Sequence, residues 1–502
     1  MRRGHHGSVH DDGGGKLMKC SSAKRRRGSV LVVALWIALG LVAIGVYFGH
    51  AMVMEYRVSA NRMAGVQAQH AVEGARRYIS FILEEIETAG EMPDEEDYEY
   101  ENVPVDDAVF WLVGREDEDL LLESDEPAFG LIDEASKLNL NTATQEMLEA
   151  LPYMTTELAA SIIDWRDTDS DLTANGAESE TYLLLDPAYN AKDSGFETPG
   201  ELRLVYGADF ELLYGEDVNL NGVLDANEDD GDASYPDDDA NGELRHGLLE
   251  YVTTFSRQPN TQEDGSARVN LQEDSDESSQ GGQGETRGQD NGPAQEKQDS
   301  SQQQSAGQEQ SLEDLLTETF GDARGQEIAQ AVSAQSSSIN SVLEFYILSG
   351  MTEDEFVEIE SAVTTSDDDY VQGLINVETA SREVLACIPG IGEEFADELI
   401  SAREARDSDA EATVAWVAEV LPQENAIAAG PYLTAESYVF SADIAALGLH
   451  GRGLRRNLIV FDTAGDEVTV VYRQDLSRLG WPLGDTTYEA LRDSEDEGDF
   501  EL

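Results

Sequence analysis

The longest apolar run lies near the start of the chain. From Val30 to Met54 no side chain is charged, and VLVVALWIALGLVAIGVYFGHAMVM has only Gly40, Gly45, Gly49, Tyr47 and His50 as soft interruptions. About 20 apolar residues cross a bilayer as a helix, so residues 29–54 are predicted to form one transmembrane helix. Beyond Glu55 the pattern becomes periodic. Val58, Met63, Val66, Ala71, Ala75, Ile79, Ile82, Leu83 and Ile86 recur mostly at threes and fours, which is amphipathic-helix spacing. One long helix is therefore expected to leave the membrane and lay an apolar stripe on a soluble domain that starts within 55–135. No strict heptad is kept, so a coiled-coil stalk is the weaker reading. Residues 312–430 read as helical again, in INSVLEFYIL and EDEFVEIESAV. Over 431–490 the runs SYVFSADIAAL, LRRNLIVFD and EVTVVYRQD read as strands, divided by turn signals at Gly451-Arg452-Gly453 and Gly465. Residues 256–311 are almost devoid of apolar side chains, apart from a strand-like Ala267-Arg268-Val269-Asn270-Leu271. Such a segment buries too little surface to offset its ordering entropy and is predicted to be a disordered linker. Residues 491–502 read as an acidic tail.

Two stretches repeat without a gap. NLNTATQEMLEALPYMTTELAASIIDWR starts at Asn139 and NVETASREVLACIPGIGEEFADELISAR at Asn376. They share Asn139/Asn376, Thr142/Thr379, Ala143/Ala380, Pro152/Pro389 and Arg166/Arg403, among others. Thr142 and Thr379 read as helix N-caps, each first helix ends at its proline, and a second helix follows. The copy at Ile388-Pro389-Gly390-Ile391-Gly392 resembles a helix-hairpin-helix motif. The first copy has Tyr153-Met154-Thr155 in place of the glycines, and Glu393 and Glu394 flank the second hairpin, so phosphate would be repelled there. A structural or protein-contact unit is the expected role. The first unit falls in a helical insertion over 136–255, the second in 312–430.

Charge narrows the function further. The 502 residues carry a formal net charge of -71, a balance that suits cations and opposes phosphate backbones. No nucleic-acid partner is expected; a membrane-tethered DNA receptor working through Gly390 and Gly392 stays as the alternative, beside a plain membrane-anchored calcium-binding protein. Residues 1–28 run against this trend, with eight basic side chains to two acidic ones. Lys24-Arg25-Arg26-Arg27 before the apolar run puts the N-terminus in the cytoplasm by the positive-inside rule. The two cysteines, Cys20 and Cys387, flank the anchor, which excludes a disulfide framework. Outside the leader and anchor only His70, His246 and His450 remain. No nucleophile–base pattern stands out, so an enzyme is not expected.

Residues 217–228 read DVNLNGVLDANE and fit the EF-hand loop at each informative position. Asp217, Asn219 and Asn221 take positions one, three and five, and Gly222 the sharp turn at six. Val223 offers its carbonyl at seven, Asp225 sits at nine and Glu228 brings two oxygens at twelve. Calcium is the expected cofactor. A second start at Asp237 has Leu248 at position twelve and is weak. The cluster Asp164, Asp167, Asp169, Asp171 and Glu178 reads more simply as solvated than as another ion site.

Gly28, after four basic residues and before the apolar helix, resembles a type IV prepilin site, which implies cleavage between Gly28 and Ser29. Residues 1–28 would then be the leader; a start at Met18 would shorten it to MKCSSAKRRRG. Most pilins carry Glu at the fifth mature position, which is Val33 here. With LNLNTATQEMLEALP, DWRDTDSDLTANGAESETY and TPGELRLVYG, the chain resembles the general secretion pathway protein K family, minor pseudopilins of type II secretion systems. The resemblance implies an α+β, pilin-like domain with an antiparallel sheet, interrupted by a large helical insertion that binds calcium. It also implies a place at the tip of a pseudopilus with the I and J components, processing by prepilin peptidase, and a single-pass protein of the bacterial inner membrane with a periplasmic domain.

Overall fold

The computed structural model describes residues 28–86, 88–94, 97–115, 128–231, 233, 238, 240–262, 264–272, 311–335, 338–406, 410–465 and 467–484. The expected leader up to residue 27, most of the expected linker and the acidic tail lie outside these residues. The chain divides into two units, Met1–Asn61 and Arg62–Leu502. Helix α1, Gly28–Glu84, supplies the described part of the first and continues into the second. In the first unit Val30, Trp36, Leu39 and Phe48 are all exposed. A helix apolar on every side and unburied by protein suits lipid.

In the second unit β1 (Val103–Val105) and β2 (Ala108–Val113) form a hairpin, and β3 (Ile132–Asp133) follows. A long run of helices and short strands intervenes: β4 (Leu138–Asn139), β5 (Val252–Thr253), β6 (Arg257–Pro259), β7 (Val269–Asn270), β8 (Val363–Thr364), β9 (Tyr370–Gln372), β10 (Ile375–Asn376) and β11 (Leu433–Thr434). Then come β12 (Val439–Gly448), β13 (Arg452–Asp462) and β14 (Thr469–Asp475). The main sheet runs β1-β2-β12-β13-β14, with β3 beside the start of β12. All its pairings are antiparallel, and Trp111 lies opposite Ala445. The α+β class with an antiparallel sheet and a helical insertion is thus the architecture observed. The expected linker begins too early, because Arg257–Pro259 pairs with β9 and Val269–Asn270 with β8. Those backbone ladders order a segment whose side chains alone would not.

The second-unit part of α1 packs on this sheet. Ala68, Ala71, Val72, Ala75, Ile79 and Leu83 meet Phe110, Leu112, Phe440, Ile444, Ile459 and Phe461 in one core. The stripe is rotated from the one expected, since Met63 and Val66 are exposed; small residues at 64, 65, 68 and 71 let the helix approach the strands instead. The approach is closest at Gly448, where a Cβ would lie 2.2 Å from the Ala64 carbonyl oxygen. Its φ of -83° suits any residue, so Gly448→Ala tests space alone. It is expected to lower stability by about 1–3 kcal/mol, as overpacking does, read as the urea midpoint of the full-length protein in detergent.

The insertion has its own core, reaching from Leu138 to Ala435. The two repeated units use their shared residues alike. Helices α2 (Gln145–Glu149) and α3 (Thr156–Arg166) correspond to Arg382–Ala386 and Gly392–Ala405. Arg166 donates to the carbonyls of Leu140 and Ala143, and Arg403 to those of Val377 and Ala380. Asn139 Nδ2 donates to Ser256 Oγ at 3.0 Å and Asn376 Nδ2 to Ser437 Oγ at 2.8 Å. Each Asn ends a two-residue parallel ladder, β4 with β5 and β10 with β11. The caps are Thr144 and Ser381, which accept from Met147 N and Val384 N, rather than Thr142 and Thr379. The turn closed by Ala143 N and Ala380 N on the carbonyls of Asn139 and Asn376 delays each helix by two residues. At the glycine hairpin, Gly390 O accepts from Asn425 Nδ2 at 2.7 Å, and a Cβ on Gly390 would lie 2.4 Å from Asn425 O. The helix Gln423–Ala429 therefore packs directly against Gly390.

Glu360 turns its carboxylate toward Thr413 Oγ1 (2.5 Å) and Val414 N (3.1 Å). Burial pushes its pKa up from 4.5 to about 7. A proton held more tightly by the folded state contributes stability below pH 4.5 that is lost as pH rises through about 7. Glu360→Gln keeps both hydrogen bonds without the charge. It is expected to gain roughly 2 kcal/mol on the wild type between about pH 5 and about pH 8, read from urea midpoints at both ends.

Candidate metal centre

The loop 217–228 leaves the helix Phe210–Tyr214, which Asp209 caps by accepting from Leu212 N at 2.8 Å. A bridge between Gly215 and His246 closes the base of the excursion. Inside it, Asp217 Oδ1 accepts from Asn221 N (3.0 Å) and Oδ2 from Gly222 N (2.8 Å). Gly222 holds φ at +73° and Leu220 at +55°, so the glycine supplies a left-handed turn that other residues seldom adopt. Asn219 Nδ2 and Asn221 Nδ2 both donate to Asp225 Oδ2, at 2.5 and 3.2 Å. Val223 N donates to Asn221 Oδ1 (3.0 Å), and the two Glu228 oxygens accept from Val218 N (3.2 Å) and Asp225 N (3.1 Å). The six residues singled out from the sequence therefore share one tight turn.

Their environment favours a cation. Asp217, Asn221 and Glu228 are buried. Burial pushes the Asp217 carboxyl up, against the pull of the Arg115 guanidinium and of the two loop N–H groups. Burial likewise pushes Glu228 up, to about 8, and the charges of Asp217 and Asp225 add to the rise. Asn219 Oδ1 is buried with no hydrogen-bond partner. Buried carboxylates that resist ionisation and an unmatched oxygen are the donor set that a hard, oxygen-seeking ion satisfies.

One feature was not legible as part of the site, and another was read the simpler way. Arg456, fully buried on β13, binds Asp443 Oδ1 and Oδ2 through Nε at 2.9 and 3.0 Å. Its Nη1 and Nη2 then donate to the carbonyls of Asn219 (2.5 Å) and Leu220 (2.6 Å), which ties the loop to the main sheet. The other is the stretch read as solvated. Asp164, Asp167 and Glu178 bring one oxygen each to within 4.8 Å of one another. Asp164 Oδ2, Asp167 Oδ1 and Glu178 Oε1 have no hydrogen-bond partner. Burial raises the Asp167 and Glu178 pKa values, and the neighbouring carboxylates add to it. Folding Ala177-Glu178 back onto α3 creates this cluster, which linear spacing does not reveal; Asp169 and Asp171 remain exposed.

Residues 121–214 match the family model described as Type II secretion system (T2SS), protein K. Over this stretch the chain is similar to protein K. A curated relative, Type II secretion system protein K of Klebsiella pneumoniae, is 35% identical over 71 residues, 14% of this chain. The chain spans 22% of that relative's length. Among solved structures, a chain of the GspK-GspI-GspJ complex from the type 2 secretion system of enterotoxigenic Escherichia coli is similar at 11% identity and a TM-score of 0.34. That match covers 86% of this chain and 99% of that one. The protein K match contains the Asp164–Glu178 cluster and ends just before the 217–228 loop.

Proposed function

We propose that this protein is a non-catalytic minor pseudopilin at the tip of a type II secretion pseudopilus. The protein K match carries the reading, and the single N-terminal helix, apolar on all sides, supports it. On this reading the chain crosses the bacterial inner membrane once, with its basic leader cytoplasmic and its acidic bulk periplasmic. Prepilin peptidase cuts between Gly28 and Ser29, and the mature subunit assembles with the I and J components. Val33 in place of a glutamate suits a subunit with no neighbour ahead of it to dock onto. Calcium fills the 217–228 loop through Asp217, Asn219, Asn221, Asp225, Glu228 and the Val223 carbonyl, and the Asp164, Asp167 and Glu178 oxygens suit a second ion of the same kind.

The test is the mass of the mature N-terminus in cells with and without active prepilin peptidase. A peptide starting at Ser29 only when the peptidase is active is the expected result. An intact leader in both strains would remove the pseudopilin reading of the anchor.

A further inference from the structure

The calcium loop does more than close on itself, because it reaches the far end of the described chain. Asn221, at position five, directs its two side-chain atoms differently. Its Oδ1 lies within the loop, accepting from Val223 N, and an amide oxygen has a second lone pair for an ion. Its Nδ2 donates to Pro482 O at 2.9 Å in a buried contact. Pro482 belongs to a segment that lies over the second face of the main sheet. There Trp481 meets Trp111 edge-on, at 5.3 Å between ring centres, and Leu483 packs with Trp111, Val113, Ala445 and Leu447. Arg456 supports the same junction from beneath. Its side chain holds the Asn219 and Leu220 carbonyls, while its backbone accepts from Leu476 N and takes part in hydrogen bonds with Ser477 Oγ.

From this geometry we infer that calcium in the 217–228 loop latches the segment Leu476–Gly484 onto the second face of the sheet, with Asn221 as the coupling residue. The inference rests on the calcium reading above and adds a consequence to it. An ion that fixes Asn221 Oδ1 also fixes the direction of Nδ2, and so the bond to Pro482. Without the ion, the buried carboxylates of Asp217 and Glu228 hold the turn less firmly, and the segment loses its anchor. Aspartate at position five would still offer oxygen to calcium, but it has no N–H for the Pro482 carbonyl. Asparagine is the residue that serves both sides.

Hydrogen exchange on the full-length protein in detergent tests this, with calcium alone as the probe and calcium uptake measured in parallel by titration. Calcium is expected to slow amide exchange across residues 476–484 by roughly tenfold, about the worth of one buried hydrogen bond. Asn221→Asp is expected to take up calcium and lose most of that protection. Glu228→Gln should lose both uptake and protection. Uptake by the wild type without slower exchange in 476–484 overturns the coupling and leaves the calcium reading standing. So does equal protection in Asn221→Asp. No uptake by the wild type overturns both.

Discussion

Glu228→Gln is expected to remove the stabilisation that the proposed calcium ion would give, and to cost the calcium-free protein only about 1 kcal/mol, the worth of one backbone hydrogen bond. A ligand that binds only the folded state adds about 4 kcal/mol at a thousandfold excess over its dissociation constant. Glu228 brings the two oxygens of position twelve, so a neutral amide there forfeits most of that gain. The small effect without calcium follows from the sign of the pKa shift. Burial pushes the Glu228 carboxyl from 4.5 up to about 8, so near neutral pH the calcium-free loop already holds a proton there, and glutamine matches that form in charge, giving up one of the two N–H bonds accepted from Val218 and Asp225. The proton's contribution is full below pH 4.5 and lost as pH rises through about 8. Calcium must displace this proton, so its affinity should rise by up to roughly tenfold per pH unit until about pH 8 and then level off. Urea unfolding of the full-length protein, with calcium and with chelator at several pH values, reads all of this. A variant that keeps the wild-type response to calcium would exclude Glu228 as a ligand.

Arg456→Leu is expected to destabilise the protein by about 3–5 kcal/mol, the usual effect of stripping one partner from a buried ion pair. Asp443 is 1% exposed and would be left buried between β2 and β13 without the guanidinium that binds it. Adding Asp443→Leu should recover only part of the loss. The carbonyls of Asn219 and Leu220 also depend on the Arg456 guanidinium, and removing the acid does nothing for them. Full recovery in the double variant, measured by denaturant midpoints, would mean that the loop carbonyls find other partners and that Arg456 serves Asp443 alone.

What could be seen in the sequence was mostly what is local. The anchor, the repeat and the 217–228 loop are each contiguous, and each holds its own chemistry within a few turns of chain. The strands β12, β13 and β14 were legible because SYVFSADIAAL, LRRNLIVFD and EVTVVYRQD alternate or run apolar between turn signals. By contrast, AVFWLV was not singled out as β2. It is apolar throughout because α1 covers Phe110 and Leu112 while Trp481 and Leu483 lie against Trp111, and such a run carries no period to recognise. The caps moved by two residues because backbone turns on Asn139 and Asn376 intervene. Thr379 Oγ1 is engaged elsewhere, donating to Asp133 at 2.5 Å. Arg456 was hidden because its partners come from distant positions, while Asp164, Asp167 and Glu178 were named as a cluster but read as solvated, because only a chain reversal brings their oxygens together. One available signal was a charged residue on each of two neighbouring strands, Asp443 in SADIAAL and Arg456 in LRRNLIVFD, both at positions otherwise apolar.

The pairing of β2 with β12 sets the order in which this molecule can be completed. Trp111 must wait for Ala445, and the intervening residues fold into a core of their own. Contacts between such distant positions form slowly, because a long loop must close before they gain anything. While the chain is being made, the Ala68–Leu83 face of the first helix has only the early β1–β2 hairpin to rest on until β12 and β13 emerge. A chain cut short before Val439 would lack the β12 and β13 side of that core, Phe440, Ile444, Ile459 and Phe461. Chaperones and proteases should therefore meet this protein first at its N-terminal stem.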